Sequence, residues 1–313
     1  MLSCLATRGF VPRDTMLAAV LILVVVPFVA TGDPLPVVLW HGMGDVCCSP
    51  FSLGKVTRLI QQEIPGVYVR SLSFGGSTSE DLVSGYFGNV NQQVAEACST
   101  VASDPRLRDG FHAIGFSQGG QFLRALAQRC PQPPMRNLIT LGAQHQGVSA
   151  FPRCPSSSPP DSLCRLSRKL INKGAYTTFI QRHSVQAQYW HDPLNQESYR
   201  AHSLFLADIN NERQPRNHSY ADHLSRLQHL VLVQFAGDTM VTPRESALFG
   251  FYVPGQTVRL LAMNETDLYL EDRIGLRLLD HSNRIVTYVV PGDHLQLDMK
   301  WFVDELVTKY LKS

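Results

Sequence analysis

A serine held between glycines, where an apolar run gives way to a helical pattern, constrains this chain more than any other feature. Gly115-Phe116-Ser117-Gln118-Gly119-Gly120 follows Phe111-His112-Ala113-Ile114, which reads as a buried strand. Phe122, Leu123, Leu126 and Ala127 then recur at helical spacing. A bare G-x-S-x-G recurs by chance, but a strand before it and a helix after it make the pattern specific. So sharp a turn strains the serine backbone and pushes the hydroxyl outward. Gly115 and Gly119 fall where a Cβ would collide with the neighbouring strand or helix. Ser117 also stands at a helix N-terminus, where N–H groups stabilise negative charge. The pattern points to a serine nucleophile rather than a structural turn.

The flanking sequence alternates strand and helix. Pro36-Val37-Val38-Leu39-Trp40 is a β-prone run ending in His41-Gly42-Met43-Gly44. Leu53, Val56, Leu59 and Ile60 predict a helix stopped by Pro65-Gly66. Tyr68 to Phe74 reads as a strand, and Leu82, Val83, Tyr86, Val90, Val94 and Ala97 as one longer helix. Further strands are predicted at Leu138 to Leu141, Leu230 to Phe235 and Ile285 to Val290. A closing amphipathic helix carries Trp301, Phe302, Leu306 and Val307. Such alternation predicts a mostly parallel central sheet flanked by helices. Together with the serine turn, this is the α/β-hydrolase fold. Residues from about 144 to 225 break the pattern with Pro-rich loops and polar helices, and read as a largely helical inserted cap shaping a ligand pocket.

The N-terminus sets the compartment. Arg8 and Arg13 precede an apolar run from Leu17 to Ala30, too short for a bilayer-spanning helix of roughly 20 residues. Residues 1–32 read as a secretory signal peptide cut before Asp33, with Met16 an alternative start. The remaining 281 of 313 residues suit one large α/β domain with an insertion. A formal charge of +2 offers no basic tract for nucleic acid. Beyond Cys4 there are Cys47, Cys48, Cys98, Cys130, Cys154 and Cys164, an even set that predicts disulfides in a secreted chain. No C-x-x-C pair suggests a zinc ribbon, and no metal or cofactor is expected. Cys154 and Cys164 flank a Pro/Ser-rich loop as natural partners. Adjacent Cys47 and Cys48 either form a strained vicinal pair or bond elsewhere. Asn217-His218-Ser219 and Asn264-Glu265-Thr266 are glycosylation sequons, each marking a surface loop.

A serine hydroxyl needs a base, and the base needs an acid to hold it. In α/β-hydrolases these follow the serine in the order acid, then histidine. His294 follows the last strand, and Asp238 follows the strand before it. Asp280 with His281, and Asp293, are the rivals. Adjacent residues such as Asp280 and His281 diverge and rarely serve each other. Oxyanion donors are expected at the backbone N–H groups of Gln118 and Met43, with Gly42 permitting close approach. His41 reads as a loop histidine with no assigned proton transfer.

With these residues in place, the chain resembles the palmitoyl-protein thioesterases of the lysosomal type 1 over nearly its whole mature length. The resemblance rests on Trp40-His41-Gly42-Met43-Gly44-Asp45, Gly115 to Arg124 and Gly142-Ala143-Gln144-His145-Gln146-Gly147. Tyr189-Trp190-His191-Asp192-Pro193, Phe205-Leu206-Ala207-Asp208-Ile209-Asn210 and Gly292-Asp293-His294-Leu295-Gln296-Leu297 extend it. It implies a triad of Ser117, Asp238 and His294 with Met43 and Gln118 as the oxyanion pair. It also implies the pairs Cys47–Cys48, Cys98–Cys130 and Cys154–Cys164. A lipid groove is implied at Trp40, Gln144, Ile171, Val185, Gln186, Trp190, Met240 and Val241, residues that could equally be ordinary core. Of the three family glycosylation positions only Asn217 keeps its sequon, and Asn264 is additional.

The expectation is therefore a lysosomal, also secreted, serine thioesterase without a transmembrane anchor. Its partners would be S-palmitoylated proteins and peptides, long-chain fatty acyl thioesters, and a sorting receptor that reads its glycans. Elbow and triad alone fit an oxyester lipase as well. A catalytically silent lipid-binding hydrolase fold is the third reading.

Overall fold

Four apolar runs form the middle of one sheet because their side chains are buried on both faces, and two less buried strands close its edges. In the structure, a computed structural model that describes residues 33–150, 154 and 159–312, the strands are β1 (Val37–Trp40), β2 (Val69–Ser71), β3 (Phe111–Phe116), β4 (Met135–Leu141), β5 (His229–Phe235) and, last, Ile285–Val290. Between β5 and that last strand lies a two-residue antiparallel ribbon of β6 (Phe251–Tyr252) and β7 (Leu260–Leu261), so the last strand is β8. The sheet order is β2-β1-β3-β4-β5-β8, every pair parallel. Alternation within each strand feeds two cores. Val38, Trp40, Ala113 and Leu230 join one face, while Val37, Leu39, Ile114 and Val231 join the other. Near-continuous hydrophobic runs are the signature of such doubly covered parallel strands.

Helices cover both faces. α1 (Leu53–Glu63) buries Leu53, Val56 and Ile60, as the sequence predicts. It shares its side with the C-terminal helical stretch Met299–Trp301, Phe302–Val307 and Thr308–Tyr310, whose middle run has the wider turn of a π-helix. The opposite side is covered by α3 (Val90–Ser103) and α4 (Gln118–Arg129), which packs across β1, β3 and β4.

The long helix predicted over Leu82 to Ala97 is instead two. α2 (Thr78–Ser84) stops at Gly85, and α3 restarts after Gly88, whose φ is +137°. The apolar period runs through the break because Tyr86 and Val90 are buried by loop and helix alike. Local polar bonds override it: the Asn89 side chain caps α3 by accepting from Asn91 N–H, and Gly88 N–H donates to His183 O across the chain.

Between β4 and β5 the chain runs through α5 (Pro159–Asn172), α6 (Thr178–His183), α7 (Val185–Gln188), α8 (Gln196–His202), α9 (Leu206–Ile209) and α10 (His218–Leu224). This helical stretch occupies the place of the predicted insertion. The six cysteines pair Cys47–Cys48, Cys98–Cys130 and Cys154–Cys164. Asn217 and Asn264 are both exposed. Residues 1–32, read as a signal peptide, lie outside the described residues. Among the described residues no helix is long and apolar enough to cross a membrane.

Candidate active site

β3 ends at Phe116 and α4 begins at Gln118, so Ser117 alone makes the turn. Its φ of 52° and ψ of −123° lie where a side chain is disfavoured, a local strain held by the elements on either side. The glycines explain how the turn closes. A Cβ on Gly119 would lie 2.3 Å from Trp40 O, and one on Gly115 would lie 2.3 Å from Gly120 Cα. Helix α4 can therefore sit directly against β1 and β3.

The serine meets two side chains from later strands. His294, in the loop after β8, has Nε2 2.9 Å from Ser117 Oγ and Nδ1 2.7 Å from Asp238 Oδ2. Asp238 follows β5, and its side chain is 1 % exposed. Its other oxygen accepts from the Met240 and Val241 N–H groups at 2.8 and 2.9 Å. Those two bonds fix the carboxylate rotamer. With Nδ1–H donated to Asp238, the Nε2 lone pair faces the serine hydroxyl.

The rival acids have other partners. Asp293 Oδ1 accepts from His294 N–H at 2.7 Å and from Thr239 N–H at 2.8 Å. The bond from His294 N–H, and then that from Thr239, hold its carboxyl below the usual range. Asp293 thus ties the histidine loop to the Asp238 loop. Asp280 accepts from Tyr269 OH at 2.6 Å, away from Ser117.

Gln118 is the first residue of α4, so its N–H has no acceptor within the helix. Met43, expected as its companion, lines the same cleft as Ser117 and His294. A Cβ on Gly42 would come 3.1 Å from Ser117 Cβ, so the loop lies tightly against the elbow. The Gln118 side chain is held away from the cleft. Its Nε2 donates to Gly85 O at 3.0 Å and its Oε1 accepts from Tyr189 OH at 3.1 Å.

That loop has an anchor the sequence did not disclose. His41 is buried with Nε2 3.2 Å from Asp81 Oδ1. Asp81 also accepts from Phe74 N–H and Cys47 N–H, both at 2.8 Å. Burial works against a charged imidazole, but the Asp81 carboxylate outweighs it and raises His41 above its ordinary pKa. Burial likewise opposes the Asp81 charge, and the His41 bond with the two amides outweighs it and lowers that carboxyl. The capped start of α2, with Glu80 and Asp81 in its first turn, was the available signal.

A cleft of about 670 Å³, open mouth included, begins at Ser117 and His294. Its walls include Gln144, Ile171, Gln186, Trp190, Met240 and Val241, six of the eight residues expected for a lipid groove. Trp40 and Val185 are the corrections. Alternation along β1 turns Trp40 to the α4 side, where it stacks on Phe74 at 4.9 Å and meets Phe122 edge-on. Val185 is fully buried in the same core, pinned by its N–H to Tyr86 O. Val148, Ala150, Tyr189 and Leu295 line the cleft and were not expected; Tyr189 and Leu295 lay within motifs already singled out. Among the described residues no group of three or more His, Cys, Asp or Glu could hold a metal ion.

The sequence matches the family model for palmitoyl protein thioesterase over residues 36–294. The chain belongs to that family. The elbow, the triad residues and every cleft-lining residue but Leu295 fall within the matched span. Palmitoyl-protein thioesterase 1 of Caenorhabditis elegans is 51 % identical over 276 residues, covering 88 % of this chain and 91 % of the relative. The human lysosomal thioesterase PPT2 is 31 % identical over 263 residues, covering 82 % and 80 %. Among solved structures, RedJ with a PEG molecule in its active site aligns over 95 % of both chains at 13 % identity, with a TM-score of 0.44. Membership makes this palmitoyl protein thioesterase relative a thioester hydrolase.

Proposed function

We propose that this hydrolase removes palmitate and similar long-chain acyl groups from S-acylated cysteines of proteins and peptides, in the lysosome, through an acyl-serine intermediate. The observation that carries the reading is the Ser117–His294–Asp238 chain of hydrogen bonds opening into a cleft walled by Ile171, Trp190, Met240 and Val241. Ser117 Oγ attacks the thioester carbonyl as His294 Nε2 takes its proton. Asp238 holds the imidazole tautomer and stabilises the imidazolium. The Met43 and Gln118 amides receive the oxyanion. The C–S bond breaks and the cysteine thiolate leaves with the proton from His294. Water, deprotonated by His294, then attacks the acyl-serine and releases the fatty acid. Each buried methylene offers about 0.8 kcal/mol, so acyl length governs affinity more than peptide sequence does. Secretion and sorting through a glycan at Asn217 or Asn264 belong to the same reading.

The test is turnover of a palmitoyl-cysteine thioester by the purified protein beside a matched palmitoyl oxyester and Ser117→Ala. Thioester cleavage that exceeds oxyester cleavage, vanishes in the variant and leaves a palmitoyl mass on Ser117 in quenched enzyme is the expected result. Dominant oxyester cleavage would make this a lipase-like esterase. No cleavage of either, with the disulfides intact, would leave a lipid-binding fold.

A further inference from the structure

Helix α5 walls the cleft on its inner side, α6 packs beside it, and both carry an unusual outer side. Inward, Ile171 lines the cleft, and Ser167 Oγ donates to Oε1 of the cleft residue Gln186 at 2.6 Å. The two helices share a small core of Ile171, Ala175 and Ile180. Outward, α5 exposes Arg165, Leu166 and Lys169, the turn just after it exposes Lys173, and α6 exposes Phe179, Arg182 and His183. From residue 161 to 183 the sequence has five Arg and Lys but one carboxylate, Asp161. That carboxylate is buried and paired with Arg165. The whole chain, by contrast, nearly balances 28 basic with 26 acidic residues. Two large apolar side chains stand among these charges: Phe179 is 66 % exposed and Leu166 is 47 % exposed.

We propose that this face docks the protein on an anionic lipid surface. Leu166 and Phe179 would enter the headgroup boundary, while Lys169, Lys173 and Arg182 pair with lipid phosphates and carboxylates. An acidic protein segment would satisfy the charges but leave the exposed ring and leucine unmatched, so the lipid surface fits better. The proposed acyl substrates are themselves held in membranes, and docking through a wall of the cleft would bring the acyl chain to Ser117 with little travel. The docking itself does not depend on that substrate assignment.

The test uses the full protein and vesicles of phosphatidylcholine with or without a quarter phosphatidylserine, scored by flotation at low and high salt. Two double variants, K169E/K173E and L166S/F179S, are compared with the wild type. Turnover of a water-soluble short-chain thioester checks that each remains folded and active. Binding to the anionic vesicles alone, weakened about tenfold or more by either variant and by salt, is the expected result. Absence of vesicle binding, or equal binding by the variants, would overturn the proposal. So would capture by polyglutamate that K169E/K173E loses and L166S/F179S keeps, which would point to an acidic protein instead. Vesicle binding that survives while palmitoyl thioester turnover fails would sink the substrate reading and leave the docking face standing.

Discussion

Asp238 and Asp293 lie on neighbouring loops, and their partners give them different work. Asp238 spends one oxygen on His294 Nδ1 and the other on two backbone amides. Asp238→Asn keeps the shape but favours the wrong histidine tautomer, and kcat should fall on the order of 10⁴-fold with little change in KM. Steady-state kinetics on one thioester would check it. The His41–Asp81 pair makes a prediction about pH. Folding raises the His41 pKa, so its contribution is complete below about 6.5 and fades as pH rises through the folded value. Folding lowers the Asp81 pKa, so its contribution is complete above about 3.9 and is lost as pH falls through the folded value. The pair therefore stabilises most in mildly acid solution. His41→Gln should lower Tm more at about pH 5.5 than at about pH 8, and equal losses at both would refute the assignment. Position just after the late strands set Asp238 and His294 apart from rivals that share the same chain order, because strand, loop and residue type coincide there. The His41–Asp81 contact bridges 40 positions between two loops, and no periodicity encodes such a meeting.

Elements legible in the sequence were those in which burial and local propensity agree. The strands β3 and β5 are apolar on both faces and bounded by turn residues, and α4 follows its elbow without a gap. The predicted helix over Leu82 to Ala97 failed because apolar spacing continued across a loop whose direction is set by Gly88 and by a bond to distant His183. Trp40 was misjudged for a related reason: the sequence says that it is buried, but not which side of β1 it takes. Helix α5 carries a prediction of its own. Ile171 lies on its inner face against the cleft, so Ile171→Trp should shorten the acyl chain that the enzyme accepts. Turnover across a C8 to C18 acyl series would show the optimum moving to shorter chains. An unshifted optimum would mean that the acyl chain runs elsewhere.

At the scale of the molecule, the chain is held by its two-sided sheet and by cross-links of unequal weight. Cys98–Cys130 closes a loop of 32 positions and ties the last turns of α3 to the end of α4. Chain-entropy reasoning assigns such a loop about 3–4 kcal/mol. The Cys98→Ala/Cys130→Ala double variant should therefore show a clearly lower denaturation midpoint with the catalytic geometry intact. Cys47–Cys48 closes no loop of consequence, and its removal should cost far less by this route. Equal losses from the two deletions would overturn that ranking.

Ser117 and His294 stand 177 positions apart, and the histidine sits in the loop that follows β8, the strand at the rim of the sheet. A ribosome delivers the elbow long before its base. While the chain is still emerging, β3 and α4 can already fold around Ser117, yet the hydroxyl has nothing to take its proton. Nascent molecules stalled before residue 294 should ignore fluorophosphonate reagents, and released ones should react. Reactivity is therefore the last property that this chain acquires during its synthesis.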